Sequence, residues 1–256
     1  MIKLAFYGKG GIGKSTAASN VSVALAQKGL KVMQIGCDPK ADSTINLLGG
    51  EPVMPVMNYL REHDDEPESI EEISKEGYGG VLCIETGGPT PGLGCAGRGI
   101  IAALEELEKK GAYEKYQPDV VIYDVLGDVV CGGFSMPMRK GYADKVFIIT
   151  SGESMSVYAA ANIAMAVENF KSRGYASLGG FILNKRNVKN EEKKAVELAA
   201  DFHSSVIAEI DRSDLVSEAE DMRKTVMEAF PDSTAAEQYR AFADKIAELC
   251  AMGEEK

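Results

Sequence analysis

The 256-residue sequence has a formal net charge of −11 and a pI near 4.8, so it has no basic excess for neutralising phosphates, which excludes non-specific nucleic-acid binding. Its 45% hydrophobic content can fill a large core, yet no apolar run approaches the roughly 18 residues that span a bilayer and no leader-like segment precedes the first strand, so a cytoplasmic protein without membrane contact is expected. Five cysteines, an odd number without a secretory signal, argue for free thiols or metal ligands over a disulfide framework.

The chain opens on the apolar run Ile2–Tyr7, which predicts a strand, and continues as GKGGIGKS from Gly8 to Ser15. A glycine, four residues and then Gly-Lys-Ser is the phosphate-binding pattern, and its position between a strand and a helical pattern makes the match specific. Gly8, Gly10, Gly11 and Gly13, with Lys9 and Ile12 between them, permit a loop whose backbone N–H groups turn inward on phosphate oxygens. The helix that begins near Lys14 adds its positive dipole end. In loops of this type the lysine, here Lys14, reaches the terminal phosphates and the hydroxyl, here Ser15, ligates Mg²⁺.

Ala17, Ala18, Val21, Ala24 and Leu25 recur at helical spacing, and Lys31–Gly36 predicts a second strand ending at Cys37-Asp38-Pro39-Lys40-Ala41-Asp42-Ser43-Thr44. Strand, helix, strand so early argues for a parallel sheet with right-handed crossovers. That order places the CDPKADST segment on the same sheet edge as the phosphate loop, where Asp38 is the best candidate for holding Mg²⁺-bound or attacking water. Lys40 and Asp42 fit ordinary turn chemistry equally well. Cys37 reads as a small buried residue, the region from Glu51 to Glu76 as a surface helix with an acidic loop, His63 as an exposed polar residue, and Val81–Glu85 as a strand with Cys83 in the core.

The stretch from Thr86 to Gly99 is too rich in glycine and proline for an element interior and predicts an exposed loop. A helix follows over 100–110, leaving Cys95 just ahead of a helix N-terminus, where a thiolate is favoured. Asp119–Val125 is an apolar strand carrying Asp124 near its end, the expected partner of a phosphate loop in orienting Mg²⁺ through water. Asp124 and Gly127 have the DxxG spacing of a phosphate-sensing switch, and Cys131 lies just beyond. Further strands are predicted over 145–150, 178–183 and 206–210, with helices over 154–171, 214–228 and 235–252. Asn184-Lys185-Arg186 follows the second of these strands, and a polar residue there fits purine binding or loop capping. No repeat and no linker divides the chain, which reads as a single domain over 1–256.

Cys95 and Cys131 have neither a C-x₂-C motif nor a histidine partner for a zinc site. From spacing alone, buried inert thiols fit them better than ligands, although a two-fold dimer supplying two from each subunit would complete the four ligands of a [4Fe–4S] cluster. The segments GKGGIGKST, GCDPKADST, GLGCAGRG, DVLGDVVCGGF, SGESMSVYAAANI and DSTAAEQYRAFA, in that order, together resemble the nitrogenase iron protein family over nearly the whole chain. The resemblance implies an α/β fold, a doubly wound and mostly parallel sheet flanked by helices, of the deviant P-loop NTPase type. It implies a homodimer bridged by one [4Fe–4S] cluster on Cys95 and Cys131 and binding one MgATP per subunit. Lys9, just after the first glycine, would cross to the nucleotide of the other subunit, and Lys14, Ser15 and Thr16 would bind phosphate or Mg²⁺. Asp38, Asp42, Asp124 and Asp128 would couple hydrolysis to movement, Asn184 would contact adenine, and Arg98 would sit on the docking face.

The implied partners are a separate nitrogenase-like catalytic component and a low-potential donor such as ferredoxin or flavodoxin. Two departures stand out: the sequence runs only to Lys256, without the longer tail usual in dedicated nitrogenase iron proteins, and Glu209-Ile210-Asp211-Arg212-Ser213-Asp214 replaces the usual proline-arginine-aspartate-asparagine pattern. The expectation is therefore a divergent nitrogenase-like reductase, with a genuine nitrogenase component as the alternative. A different class, a non-redox ATPase switch of the partitioning or metal-insertion type, would share the phosphate loop and Asp124 without needing the cysteine pair.

Overall fold

The computed structural model describes residues 1–63, 66–88, 96–127, 136–139, 141–171 and 174–251. β1 (Ile2–Tyr7) leads through the glycine-rich loop into α1 (Lys14–Gln27), and β2 (Val32–Cys37) follows. After α2 (Val56–Glu62) come β3 (Ser74–Glu76), β4 (Leu82–Glu85), α3 (Ala96–Lys109), α4 (Ala112–Tyr116) and β5 (Val120–Val125). The second part alternates β6 (Lys145–Thr150), α5 (Ser154–Lys171), β7 (Ser177–Asn184), α6 (Glu191–Asp201) and β8 (Val206–Ile210), then α7 (Asp214–Asp221), α8 (Val226–Ala229) and α9 (Thr234–Ala251).

The eight strands form one sheet in the order β3-β4-β2-β5-β1-β6-β7-β8. All neighbours are parallel except the β3–β4 pair. Winding runs outward from β1 to β2 and β4, returns to β5, and then crosses β1 to β6, β7 and β8. Such a reversal opens a crevice at the carboxyl ends of the central strands.

Both faces of the sheet are covered, which is why the central strands read as continuous apolar runs. Alternation still sorts the side chains. Leu4 and Phe6 join Val21, Leu25, Phe147 and Phe242 beneath α1 and α9, and Ala5 and Tyr7 join Met33, Ile35, Tyr123, Leu104 and Ile163 on the side of α3 and α5. Phe6 stacks on Phe242 with ring centroids 5.8 Å apart and meets Phe147 edge-on at 5.9 Å, a geometry that adds to plain burial.

The mostly parallel α/β architecture expected from the sequence is present. Three elements were not foreseen: β3 is a short polar edge strand, α4 is a five-residue helix, and α6 begins Glu-Glu-Lys-Lys and, besides Glu191, buries only Ala195, Leu198 and Ala199. The helix expected over 214–228 is split, because Arg223 adopts φ 58° between α7 and α8. The thiols of Cys37 and Cys83 are free and buried as expected. His63 lies stacked on Tyr59 at 4.2 Å.

Candidate functional site

At the crevice, the phosphate loop presents backbone to open space. Gly13 takes the left-handed conformation, φ 95°, as the residue before α1, and no side chain caps the helix, so its first N–H groups remain available to an anion. No heavy atom lies within 4 Å of where side chains at Gly10 or Gly11 would begin. Behind the loop, Asn184 Nδ2 donates to the Ile12 carbonyl at 2.7 Å and Arg186 Nη2 to the Gly11 carbonyl at 2.9 Å. From the β5 side, Gly127 presses on the loop so closely that a Cβ there would stand 2.4 Å from Gly10 N and 2.5 Å from the Gly8 carbonyl oxygen.

Asp124, 3% exposed, ends the apolar part of β5 beside this cradle. Its Oδ2 accepts the Ser43 hydroxyl at 2.7 Å, and its Oδ1 is buried with no hydrogen-bond partner. Burial pushes its carboxyl above the usual range, against the opposing pull of the Lys14 ammonium and the hydroxyls of Ser15 and Ser43. A buried carboxylate with an unused oxygen beside a lysine and a serine hydroxyl suits a hydrated divalent cation. The cradle and its donor set therefore fit a nucleotide phosphate with Mg²⁺.

A buried polar chain ties the cradle helix to this carboxylate. Gln34 of β2 accepts the Ser22 hydroxyl at 2.8 Å and donates to Ser19 Oγ at 3.1 Å and Ser43 Oγ at 3.0 Å. Ser43 then reaches Asp124. Buried polar groups are stable only when each is paired, so α1, β2 and the segment after β2 hold one another in place.

The cleft encloses about 470 Å³ and runs from Gly10, Lys14, Ser15 and Asp38 to the loop after β8, including Asp211, Arg212 and Ser213. At this far end Lys185 pairs with Glu192 at 2.8 Å, Glu209 at 2.9 Å and Asp211 at 3.2 Å. Gln238 of α9 clamps Asp211 twice, donating to its carboxylate at 2.8 Å and accepting its backbone N–H at 3.0 Å. The Gln238 amide first, with Lys185 second, holds the Asp211 carboxyl below the usual range.

Most of the expected nucleotide residues gather here. Gly10, Gly11, Gly13, Lys14, Ser15, Thr16, Asp38, Lys40, Asp42 and Asn184 all line the cleft. Asp38 also makes a turn, its Oδ1 accepting the Lys40 N–H at 2.9 Å, and the Thr16 hydroxyl donates to Glu220 of α7 at 2.9 Å. Lys9 is half-buried and is not among the described residues lining this chain's own cleft. Arg98 is exposed near the start of α3. Cys95, Cys131, Asp128 and the tail from Met252 lie outside the described residues. Among the described residues, no group of three or more His, Cys, Asp or Glu is placed to hold a metal ion, and no helix is long and apolar enough to cross a membrane. Sequence reasoning assigned no site role to Gln34, Ser43 or Glu85, and pointed to Lys185 and Arg186 only as part of the polar stretch after a strand. A lone glutamine inside the apolar run VMQIGC was the available signal for the first.

A parallel sheet whose first strand runs into an open backbone cradle, with a buried aspartate at the end of the neighbouring strand, defines a P-loop NTPase. Solved structures agree on the fold: the cell division ATPase MinD of Pyrococcus furiosus superposes with a TM-score of 0.76 at 18% identity, covering 97% of this chain and 100% of that one. The septum site-determining protein MinD of Pyrococcus horikoshii OT3, complexed with Mg-ADP, gives 0.75 at 18% identity, covering 98% of each chain. A ParA family ATPase from Chlorobium tepidum TLS gives 0.71 at 16% identity over 94% of this chain and 97% of that one.

The sequence goes further than the fold. Residues 2–252 match the model of the 4Fe-4S iron sulfur cluster binding proteins, NifH/frxC family, and the chain belongs to that family. A nitrogenase iron protein of Methanospirillum hungatei JF-1 is 50% identical over 248 residues, covering 96% of this chain and 88% of that protein. A nitrogenase-reductase type of function follows from this membership.

Proposed function

We propose that the protein is the MgATP-dependent reductase component of a two-component system, working as a homodimer that passes single electrons to a separate nitrogenase-like catalytic partner. The observation that carries this reading is the seat of Gly127. It packs on the phosphate loop, stands two residues after the end of the strand that carries Asp124, and precedes Cys131 by a few residues in the chain. A change at the phosphates therefore meets Gly127 only four residues along the chain from a cysteine that, with Cys95, would supply the ligands for the cluster the family is named for.

Gly10 to Thr16 would hold the nucleotide phosphates, Ser15 would ligate Mg²⁺, and Asp124 would fix a water on that ion. Lys9 would act on the nucleotide of the other subunit, which agrees with its place outside this chain's own cleft. Asp38, Asp42 and Asp128 would respond to loss of the terminal phosphate, and Asn184 would stand near the purine. Cys95 and Cys131 of two subunits would together hold a [4Fe–4S] cluster, which would supply single electrons at low potential. Arg98, exposed ahead of the α3 face that packs on the core, is the residue assigned to the docking surface.

Mixed with a nitrogenase-like catalytic partner, the reduced protein should transfer electrons with MgATP and not with MgADP. Arg98→Glu should impair that transfer and the coupled hydrolysis far more than nucleotide binding by the isolated protein. Equal transfer with both nucleotides would overturn the gating, and full coupled turnover by Arg98→Glu would overturn the docking face. The 50% identity to a nitrogenase iron protein favours a second reading, in which the partner reduces dinitrogen itself. Complementation of a strain lacking its own nitrogenase iron protein separates the two.

A further inference from the structure

Glu85 ends β4 and is 1% exposed. Gly36 of β2 is the register partner of both Glu85 on one side and Asp124 on the other. The missing side chain at Gly36 makes room for the carboxyl: a Cβ there would lie 1.9 Å from Glu85 Oε2 and 2.8 Å from the Ser43 Cβ. Glu85 Oε1 accepts both donors of Thr44, the backbone N–H and the hydroxyl, each at 2.7 Å. The residue before it, Ser43, donates to Asp124. Two consecutive residues are thus fastened to two carboxyls flanking one glycine, and each carboxyl keeps one buried oxygen, Oε2 and Oδ1, without a partner.

We infer that Glu85 is a positioning residue of the nucleotide site: by holding Thr44 it fixes the segment after β2, and with it the Ser43 hydroxyl on Asp124. The inference rests on the ATP-hydrolysing part of the proposed function and not on the iron–sulfur cluster. Asp38, Lys40 and Asp42, which face the nucleotide cleft, belong to this same segment. The strand exit follows it too, since the Thr86 N–H donates to the Gly36 carbonyl at 2.8 Å and a Cβ at Gly88 would stand 2.5 Å from the Pro39 Cβ.

Two ionised carboxylates in so small a buried space repel, and burial favours the neutral form of one. Asp124 has Lys14 and two hydroxyls to sustain its charge; Glu85 has only the Thr44 donors. Burial first, with the charges of Asp124 and Asp42 adding to it, pushes Glu85 up to about 8 against the pull of those donors. The other titratable groups around it are Cys37 of β2 and Cys83 of β4, both pushed up by burial and so neutral. Glu85 therefore holds Thr44 as an acid below about pH 8 and as a buried anion above it.

The unfolded chain ionises this group near 4.5, so folded protein retains a proton that unfolded protein has lost. Stability should fall as pH rises from there to about 8 and level off above. Glu85→Gln keeps an acceptor for Thr44 and cannot ionise. Wild-type hydrolysis should decline above about pH 8 as Glu85 ionises; in Glu85→Gln that decline should be absent, hydrolysis at pH 7 should stay within about threefold of wild type, and the stability slope should flatten. Glu85→Val should lose about tenfold in kcat with a smaller change in MgATP affinity. Thr44→Val, which keeps the N–H bond, should fall between the two and serves if Glu85→Val does not fold.

A loss in Glu85→Gln as large as in Glu85→Val, or one pH profile shared by Glu85→Gln and wild type, would overturn the inference. Protein without iron and sulfide that still shows the expected series would support Glu85 while removing the redox reading. Wild type that hydrolyses no MgATP would remove both.

Discussion

The two ends of the nucleotide cleft are built by opposite means. The phosphate end uses backbone and buried groups: uncapped N–H donors at α1, Lys14 at 9% exposure, Asp124 at 3%, and Gln34 and Ser22 at 0%. The far end uses charge at the surface, where Lys185 meets three carboxylates that are each 44% or more exposed. Burial makes each phosphate-end group singly decisive, since neither water nor a neighbour replaces a lost partner. Redundancy and solvent should make the far end tolerant.

The strongest way to break that contrast is at Lys14. Lys14→Ala should lower MgATP hydrolysis by about 10²–10³-fold, as removal of a single preorganised charge donor commonly does. Asp124→Asn should follow, keeping an acceptor for Ser43 but losing the charge, so that steady-state kinetics show a larger fall in kcat than in nucleotide affinity. Gln34→Leu takes the acceptor from the Ser22 hydroxyl and the amide donor from Ser19 and Ser43, and should cost about 1–3 kcal/mol in urea unfolding. Lys185→Met should cost no more than about 1 kcal/mol, a difference that shrinks as salt is raised. A Lys185→Met protein as impaired in hydrolysis as Lys14→Ala would abolish the distinction.

The same contrast explains what the sequence made legible. Gly8 to Ser15 is contiguous, and its chemistry depends on backbone between a strand and a helix, so the motif announced both the site and the sheet edge. Asp124 was visible as a charge near the end of an apolar strand. Glu85 had the same appearance and was read only as the end of a strand, because nothing local revealed that Gly36 leaves room for it or that Thr44 caps it. Lys185, Asp211 and Gln238 come from the loop after β7, the loop after β8 and α9, and their meeting depends on strand order. Helix α6 was missed for a related reason: its buried stripe is largely alanine under a charged exterior, which leaves little apolar periodicity. Arg223 gave no sign of the positive φ that breaks the expected helix over 214–228.

The central claim, an ATP-driven switch joined to an iron–sulfur centre, is tested most directly by anaerobic iron and acid-labile sulfide analysis alongside MgATP binding. The account predicts about two irons and two sulfides per chain after reconstitution. Both should be lost in the Cys95→Ala, Cys131→Ala double variant, with its MgATP affinity unchanged because neither cysteine belongs to the phosphate-loop motif. Wild-type protein that takes up no iron or sulfide, yet binds and hydrolyses MgATP, would contradict the claim and leave a non-redox ATPase switch.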